Sequence, residues 1–161
     1  MSRILALDYG LRRIGVAVTD PTRTIASPLT TLKRRTGKRP PWAEIARIVE
    51  EQEVAEIVVG LPLDLAGEEG EWAAEVRGFG AELARRYSLP VHWVDERLTS
   101  VLAERAVRGL GLKRSQREEK GRIDSTAAAL ILQSFLRRQS AATDAGLAGP
   151  GSAGDDPLAG S

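Results

Sequence analysis

The sequence predicts an α/β fold: a mixed five-stranded sheet, three antiparallel strands followed by parallel βα units, with helices on both faces. Three observations predict it. Two short apolar runs of strand type stand near the N-terminus, separated by a connection of hairpin length. Two further apolar runs, Ile57–Leu61 and Val91–Val94, each follow a segment with helical spacing, as βα units require. The chain has 161 residues, 42% of them hydrophobic and 28% charged, enough for one domain with its own core.

The elements follow in order. Arg3–Asp8 and Ile14–Thr19 read as strands, joined through Tyr9-Gly10-Leu11-Arg12-Arg13. Ile25–Leu32 reads as a third strand; Pro28 within it cannot donate to a ladder, which predicts an edge position. Lys33–Pro41 is a basic loop. Trp42–Gln52 begins after two prolines and places apolar residues at 42, 45, 48 and 49, the spacing of a helix. Ile57–Leu61 is apolar throughout, as in a strand buried on both faces. Trp72, Val76, Phe79, Leu83 and Tyr87 recur at steps of three and four, predicting an amphipathic helix over 70–87. Val91–Val94 after Pro90 is the fifth strand. Thr99 or Ser100 is placed to cap a helix running to about Gly109. Ile123, Ala127, Ile131 and Phe135, four apart, mark a last helix ending near Arg138. Domain organisation is therefore expected to be one folded unit over 1–138. Residues 139–161 are poor in bulky apolar side chains and read as a disordered tail.

Composition narrows the chemistry. There is no cysteine and one histidine, His92. Disulfides, thiolate zinc sites, iron–sulfur clusters and cysteine nucleophiles are excluded, and His92 alternates with Trp93 in a strand, which reads as structural. No apolar run approaches the ~18 residues of a membrane span, and Met1-Ser2-Arg3 does not open a signal peptide, so a cytoplasmic protein is expected. The net charge of +1 hides a strong segregation. Between Glu44 and Glu75 ten acids face one base, Arg47; between Arg105 and Arg122 seven bases face two acids; Lys33–Arg39 holds five bases in seven residues. Such segregation suits a polyanion on one face, while lumpy surface charge without function is the alternative.

Three acids stand where an apolar element ends or begins. Asp8 closes the first strand, Glu96 follows the fifth, and Asp124 lies in the first turn of the last helix. Each has an ordinary reading: Asp8 bonding its own Gly10 turn, Glu96 pairing Arg97 or Arg122, Asp124 favouring a helix N-terminus. Together they fit another. Parallel strands gather functional groups at their carboxyl ends, and carboxylates brought close repel one another unless a cation lies between them. Mg²⁺ or Mn²⁺, taking oxygen ligands, completes such a set. Two such ions about 3.5–4 Å apart can drive phosphodiester hydrolysis without histidine or cysteine.

The motifs carrying these acids resemble a known family. Leu7-Asp8-Tyr9-Gly10-Leu11-Arg12-Arg13-Ile14-Gly15-Val16-Ala17 is similar to the opening motif of the YqgF/RuvX family. So are Val58-Val59-Gly60-Leu61-Pro62-Leu63, Asp95-Glu96-Arg97-Leu98-Thr99-Ser100, and Lys120-Gly121-Arg122-Ile123-Asp124-Ser125-Thr126-Ala127-Ala128. The match runs in order from about residue 3 to 138. The resemblance implies a ribonuclease H-like fold and a metal-dependent nuclease, named for pre-16S rRNA processing and earlier for Holliday junction resolution. Its acidic residues carry over onto Asp8, Glu96 and Asp124.

Nucleic-acid contacts are expected from Arg12 and Arg13 beside the Asp8 turn. Lys33, Arg34, Arg35, Lys38 and Arg39 are expected as a backbone-binding arm, the alternative being a solvated hairpin tip. Lys113, Arg114, Lys120 and Arg122 are expected around Asp124. Arg97 would meet phosphate, or else pair with Asp95. Asp64 reads as a loop acid. Trp42, Trp72 and Trp93 would stack bases or, more ordinarily, fill the core. The partner is nucleic acid, RNA ahead of branched DNA, and the chain a monomer or homodimer. A four-way-junction resolvase would need a dimer with two symmetric sites. A non-catalytic nucleic-acid-binding or protein-binding module, which the three intact acids argue against, and a sugar-kinase-like phosphotransferase, which needs two such domains, are the remaining readings.

Overall fold

The structure is a computed structural model and describes residues 2–34, 39–99 and 117–148, with side chains in the last helix described over 123–143. In chain order it contains β1 (Arg3–Tyr9), β2 (Arg13–Thr19), β3 (Ala26–Lys33), α1 (Trp42–Glu51), β4 (Val54–Leu61), α2 (Glu71–Tyr87), β5 (Val91–Asp95), a single 3-10 turn (Glu96–Leu98) and α3 (Arg117–Ala148). The sheet order is β3-β2-β1-β4-β5. β1–β2 and β2–β3 pair antiparallel, β1–β4 and β4–β5 parallel. The mixed five-stranded sheet is thus the one the sequence predicts. β3 does lie at an edge, and the ladder slips near Pro28, between Val16 and Ala17 of β2.

Alternation along the strands divides the core in two. Leu5, Leu7 and Tyr9 of β1, with Ile57 and Val59 of β4, pack under Ile45 and Ile48 of α1 and Val76, Phe79 and Leu83 of α2. Ile4 and Ala6 of β1, with Ala17, Val58 and Val94, pack under Ala127, Ala128, Ile131, Leu132 and Phe135 of α3. Helices therefore cover both faces. The small residues on β1, β2 and α3 let the helix lie close to the strands, and each buried Ile or Leu contributes about 1.5–3 kcal/mol.

Two expectations meet corrections or limits. The last helix continues ten residues past Arg138, to Ala148. Ala141 and Ala142, both exposed, propagate a helix by intrinsic preference once packing has nucleated it. Residues 139–148 of the expected disordered tail are thus helical; its remainder, 149–161, lies outside the described residues, as do residues 100–116, on which the helix expected from Thr99 or Ser100 to about Gly109 falls. Arg35, Lys38, Lys113 and Arg114 lie outside them as well, together with the side chains of Lys120 and Arg122.

Candidate active site

Asp8 and Glu96 are the two buried carboxylates among the described residues, 3% and 4% exposed. Asp8 is the last residue of β1 to point at the α3 face, in step with Ile4 and Ala6. β1 and β4 pair in register at Leu7 and Val59, so the next positions, Asp8 and Gly60, are neighbours across the sheet. Gly60 in turn pairs with Val94 of β5. The chain leaves β5 through the 3-10 turn, which the Asp95 side chain caps by accepting from the Arg97 N–H at 2.9 Å. That turn folds the Glu96 carboxylate back over Gly60. A Cβ at position 60 would stand 2.9 Å from Glu96 Oε2 and 2.6 Å from Ile131 Cδ1, so only a bare backbone leaves room for the acid.

Asp124 reaches the same region from above. Gly15 is the antiparallel partner of Asp8, and a Cβ there would meet the Asp124 carbonyl oxygen at 1.9 Å. α3 begins at Arg117, so Asp124 stands two turns inside the helix and not in its first turn as expected, and there the helix rests directly on the strand position beside Asp8. The backbone brings the three acids around one spot, but their carboxylates do not all meet. Asp124 Oδ2 accepts from Arg13 Nε at 2.8 Å, an ion pair 32% and 23% exposed. Among the described residues, no three acid or histidine side chains stand close enough to hold one ion. The expected nest of three oxygens is in this respect incomplete, and a resident guanidinium engages its third member. The donor set still fits a hard divalent cation in chemistry: oxygen donors only, two of them buried, over backbone that glycine has cleared.

The other expected residues divide clearly. Arg12 is exposed at the hairpin tip, and Lys33 and Arg39 are exposed. Arg34 is tied down: its Nη1 donates to the Gly10 carbonyl at 2.9 Å and its guanidinium lies over the Tyr9 ring at 4.4 Å. Arg97 is forked onto Asp95, Nη2 to Oδ2 at 2.7 Å, and this pairing holds the Asp95 carboxyl below the usual range against the opposing effect of burial. Asp64 shapes its own loop, accepting from the N–H groups of Ala66 and Glu68. His92 hydrogen-bonds Glu56 and packs on Phe135. Trp42, Trp72 and Trp93 all pack against the core. The sequence reading missed the pairing of Arg13 with Asp124 and the contact roles of Gly15 and Gly60; glycines inside apolar strand runs were the available signal.

The family model described as RuvX: Holliday junction resolvase matches residues 2–138. A Chloroflexus aurantiacus protein named "Putative pre-16S rRNA nuclease" is 49% identical over 133 residues, covering 83% of this chain and 85% of that one. Proteins of the same name from Koribacter versatilis and Maridesulfovibrio salexigens are 46% and 40% identical, covering 85% and 84% of this chain and 88% and 98% of theirs. Among solved structures, T. thermophilus RuvC in complex with Holliday junction substrate superposes with a TM-score of 0.51 at 19% identity, covering 87% of this chain and 96% of that chain. The fold is thus ribonuclease H-like. Among the described residues, no helix is long and apolar enough to cross a membrane.

Proposed function

Because this chain belongs to the RuvX family, we propose that it is a cytoplasmic, metal-dependent nuclease that hydrolyses phosphodiester bonds in RNA, with pre-16S rRNA as substrate. The single observation that carries this reading is the placement of two buried carboxylates, Asp8 and Glu96, on either side of bare Gly60. Carboxylates gathered at one spot repel one another, and a hard divalent cation with oxygen ligands relieves that repulsion. The relatives' names support RNA, and the nuclease unit on this reading is residues 1–138.

Asp8, Glu96 and Asp124 are the residues to hold Mg²⁺ or Mn²⁺, two ions in all. When bound, these supply activation of a water and neutralise charge on the leaving oxygen. The chain's own residues do the rest. Asp8 and Glu96 are fixed by β1 and by the 3-10 turn, so they lose little freedom on binding. Asp124 takes part once Arg13 releases it, and the freed guanidinium is then beside the site as a phosphate partner. Exposed Arg12, Lys33 and Arg39 carry the nucleic-acid backbone toward the carboxyl end of β1, where the acids lie.

The test is a substrate panel: single-stranded RNA, duplex RNA and a four-way DNA junction, each with Mg²⁺, Mn²⁺ or EDTA. The expected result is RNA cleavage with either ion and none in EDTA, and Asp8→Asn at least about a hundredfold slower. Cleavage undiminished in EDTA or in Asp8→Asn contradicts the reading. The family's description favours a second substrate, the junction, which needs a symmetric dimer; junction cleavage by a dimer, with RNA untouched, would replace RNA by branched DNA.

A further inference from the structure

On the opposite face of the sheet from the acids, the chain forms a shallow, open cleft of about 720 Å³. It lies between the end of β1, the start of α1 and one side of α2. Its walls are Tyr9, Trp42 and Phe79; its rim carries Glu71, Glu75 and Glu82. The volume lies within the range of small-ligand sites, with room for more than one side chain. Tyr9 follows Asp8 directly at the carboxyl end of β1, so the cleft opens at the same end of the strands as the acids but on the other face.

The aromatic wall is continuous. Tyr9 stacks on Phe79 at 4.1 Å and on Trp72 at 5.6 Å, and Phe79 stacks on Trp42 at 5.5 Å. Two of the chain's own guanidinium groups already rest on it, Arg34 over Tyr9 at 4.4 Å and Arg86 over Trp42 at 4.2 Å. The wall is therefore one on which planar cations settle. The rim charge is only partly answered: Glu82 is bound by Arg85 and Arg86, while no ion pair of Glu71 or Glu75 exists among the described residues. These glutamates belong to the acidic stretch Glu44–Glu75, which a nuclease reading leaves without a role and which repels nucleic acid. Apolar rings, room for side chains and uncompensated carboxylates together select an apolar-stemmed cation.

We propose that this cleft is a docking site for an arginine-bearing segment of a basic protein partner. An arginine stem lies along Trp42, the partly exposed ring of the wall, while Tyr9 and Phe79 are buried behind it, and the guanidinium heads meet Glu71 and Glu75. A partner held there stands beside the site on the far face without covering it.

The experiment measures binding of a fluorescein-labelled peptide of alternating arginine and glycine to the full chain at low salt, by anisotropy. Comparison is with the same peptide carrying citrulline, which keeps the shape and removes the charge. Glu71→Gln/Glu75→Gln should weaken the arginine peptide by about fivefold to tenfold, as expected for two exposed pairs. Glu50→Gln/Glu53→Gln, an equal change of charge outside the cleft, should leave binding within twofold (roughly the scatter of a surface substitution). All four replaced residues are exposed, and thermal melts confirm that each variant is folded. The proposal is overturned if the citrulline peptide binds equally well. It is also overturned if the two double variants behave alike, which would mean diffuse charge attraction. Binding seen only after Arg35 and Lys38 are replaced by alanine would assign the cleft to the chain's own basic loop and overturn it too.

Discussion

Arg13 and Asp124 lie 111 positions apart in sequence, yet at 2.8 Å they decide how complete the acidic site is. The guanidinium does for Asp124 what a bound cation would do, so the two compete. Arg13→Gln should bind Mn²⁺ about twofold to fivefold more tightly than the parent chain, the size of a partly exposed ion pair. Calorimetry checks this, and weaker binding would make Arg13 a positioning residue for Asp124. Glu56 provides a different test at the same scale. Burial pushes its carboxyl up, but hydrogen bonds from His92 and Arg23 outweigh that and hold it below the usual glutamate range. A depressed folded value stabilises the protein above the unfolded value near 4.5, and this contribution disappears as pH falls through the folded value. Melting temperatures followed from about pH 6 to about pH 3 should therefore fall less steeply in Glu56→Gln than in the parent chain.

At the scale of elements, the seam between α3 and the sheet positions the site. Gly15 lets the helix touch β2 beside Asp8, and Gly15→Ala forces a Cβ to 1.9 Å from the Asp124 carbonyl oxygen. Helix or strand must move, at a cost of about 1–3 kcal/mol by overpacking, and chemical denaturation measures the loss. Gly78 makes the contrast: it is exposed within α2 and a Cβ there meets nothing within 4 Å. Gly78→Ala should stabilise by about 0.5–1 kcal/mol, because alanine loses less freedom in a helix. Ile131, fully buried under Gly60 and Glu96, should cost about 2–5 kcal/mol when cut to alanine. Much of this seam was legible beforehand, because the ladder Ile123, Ala127, Ile131, Phe135 is periodic and Pro28 forbids a central strand. The reach of α3 to Ala148 was not legible, since alanine-rich sequence without an apolar stripe reads equally as tail.

Over the whole molecule, the sheet separates two charge regimes, acids beneath α3 on one face and an aromatic, glutamate-rimmed cleft on the other. The strand ends that carry Asp8 and Glu96 were readable from the sequence, because apolar runs stop there at an acid. Their convergence was readable only as far as parallel pairing places β1, β4 and β5 side by side. The diversion of Asp124 to Arg13 was beyond such reasoning, since it depends on side-chain geometry across a tertiary contact. The cleft was foreshadowed only as unassigned negative charge, because its ring stack joins residues of β1, α1 and α2 that no local pattern connects. The central claim is that Asp8, Glu96 and Asp124 jointly bind divalent cations, and Mn²⁺ titration calorimetry tests it most directly on the parent chain and on Asp8→Asn, Glu96→Gln and Asp124→Asn. The account predicts two ions on the parent chain and the loss of at least one in every variant; identical binding curves for all four proteins would contradict it.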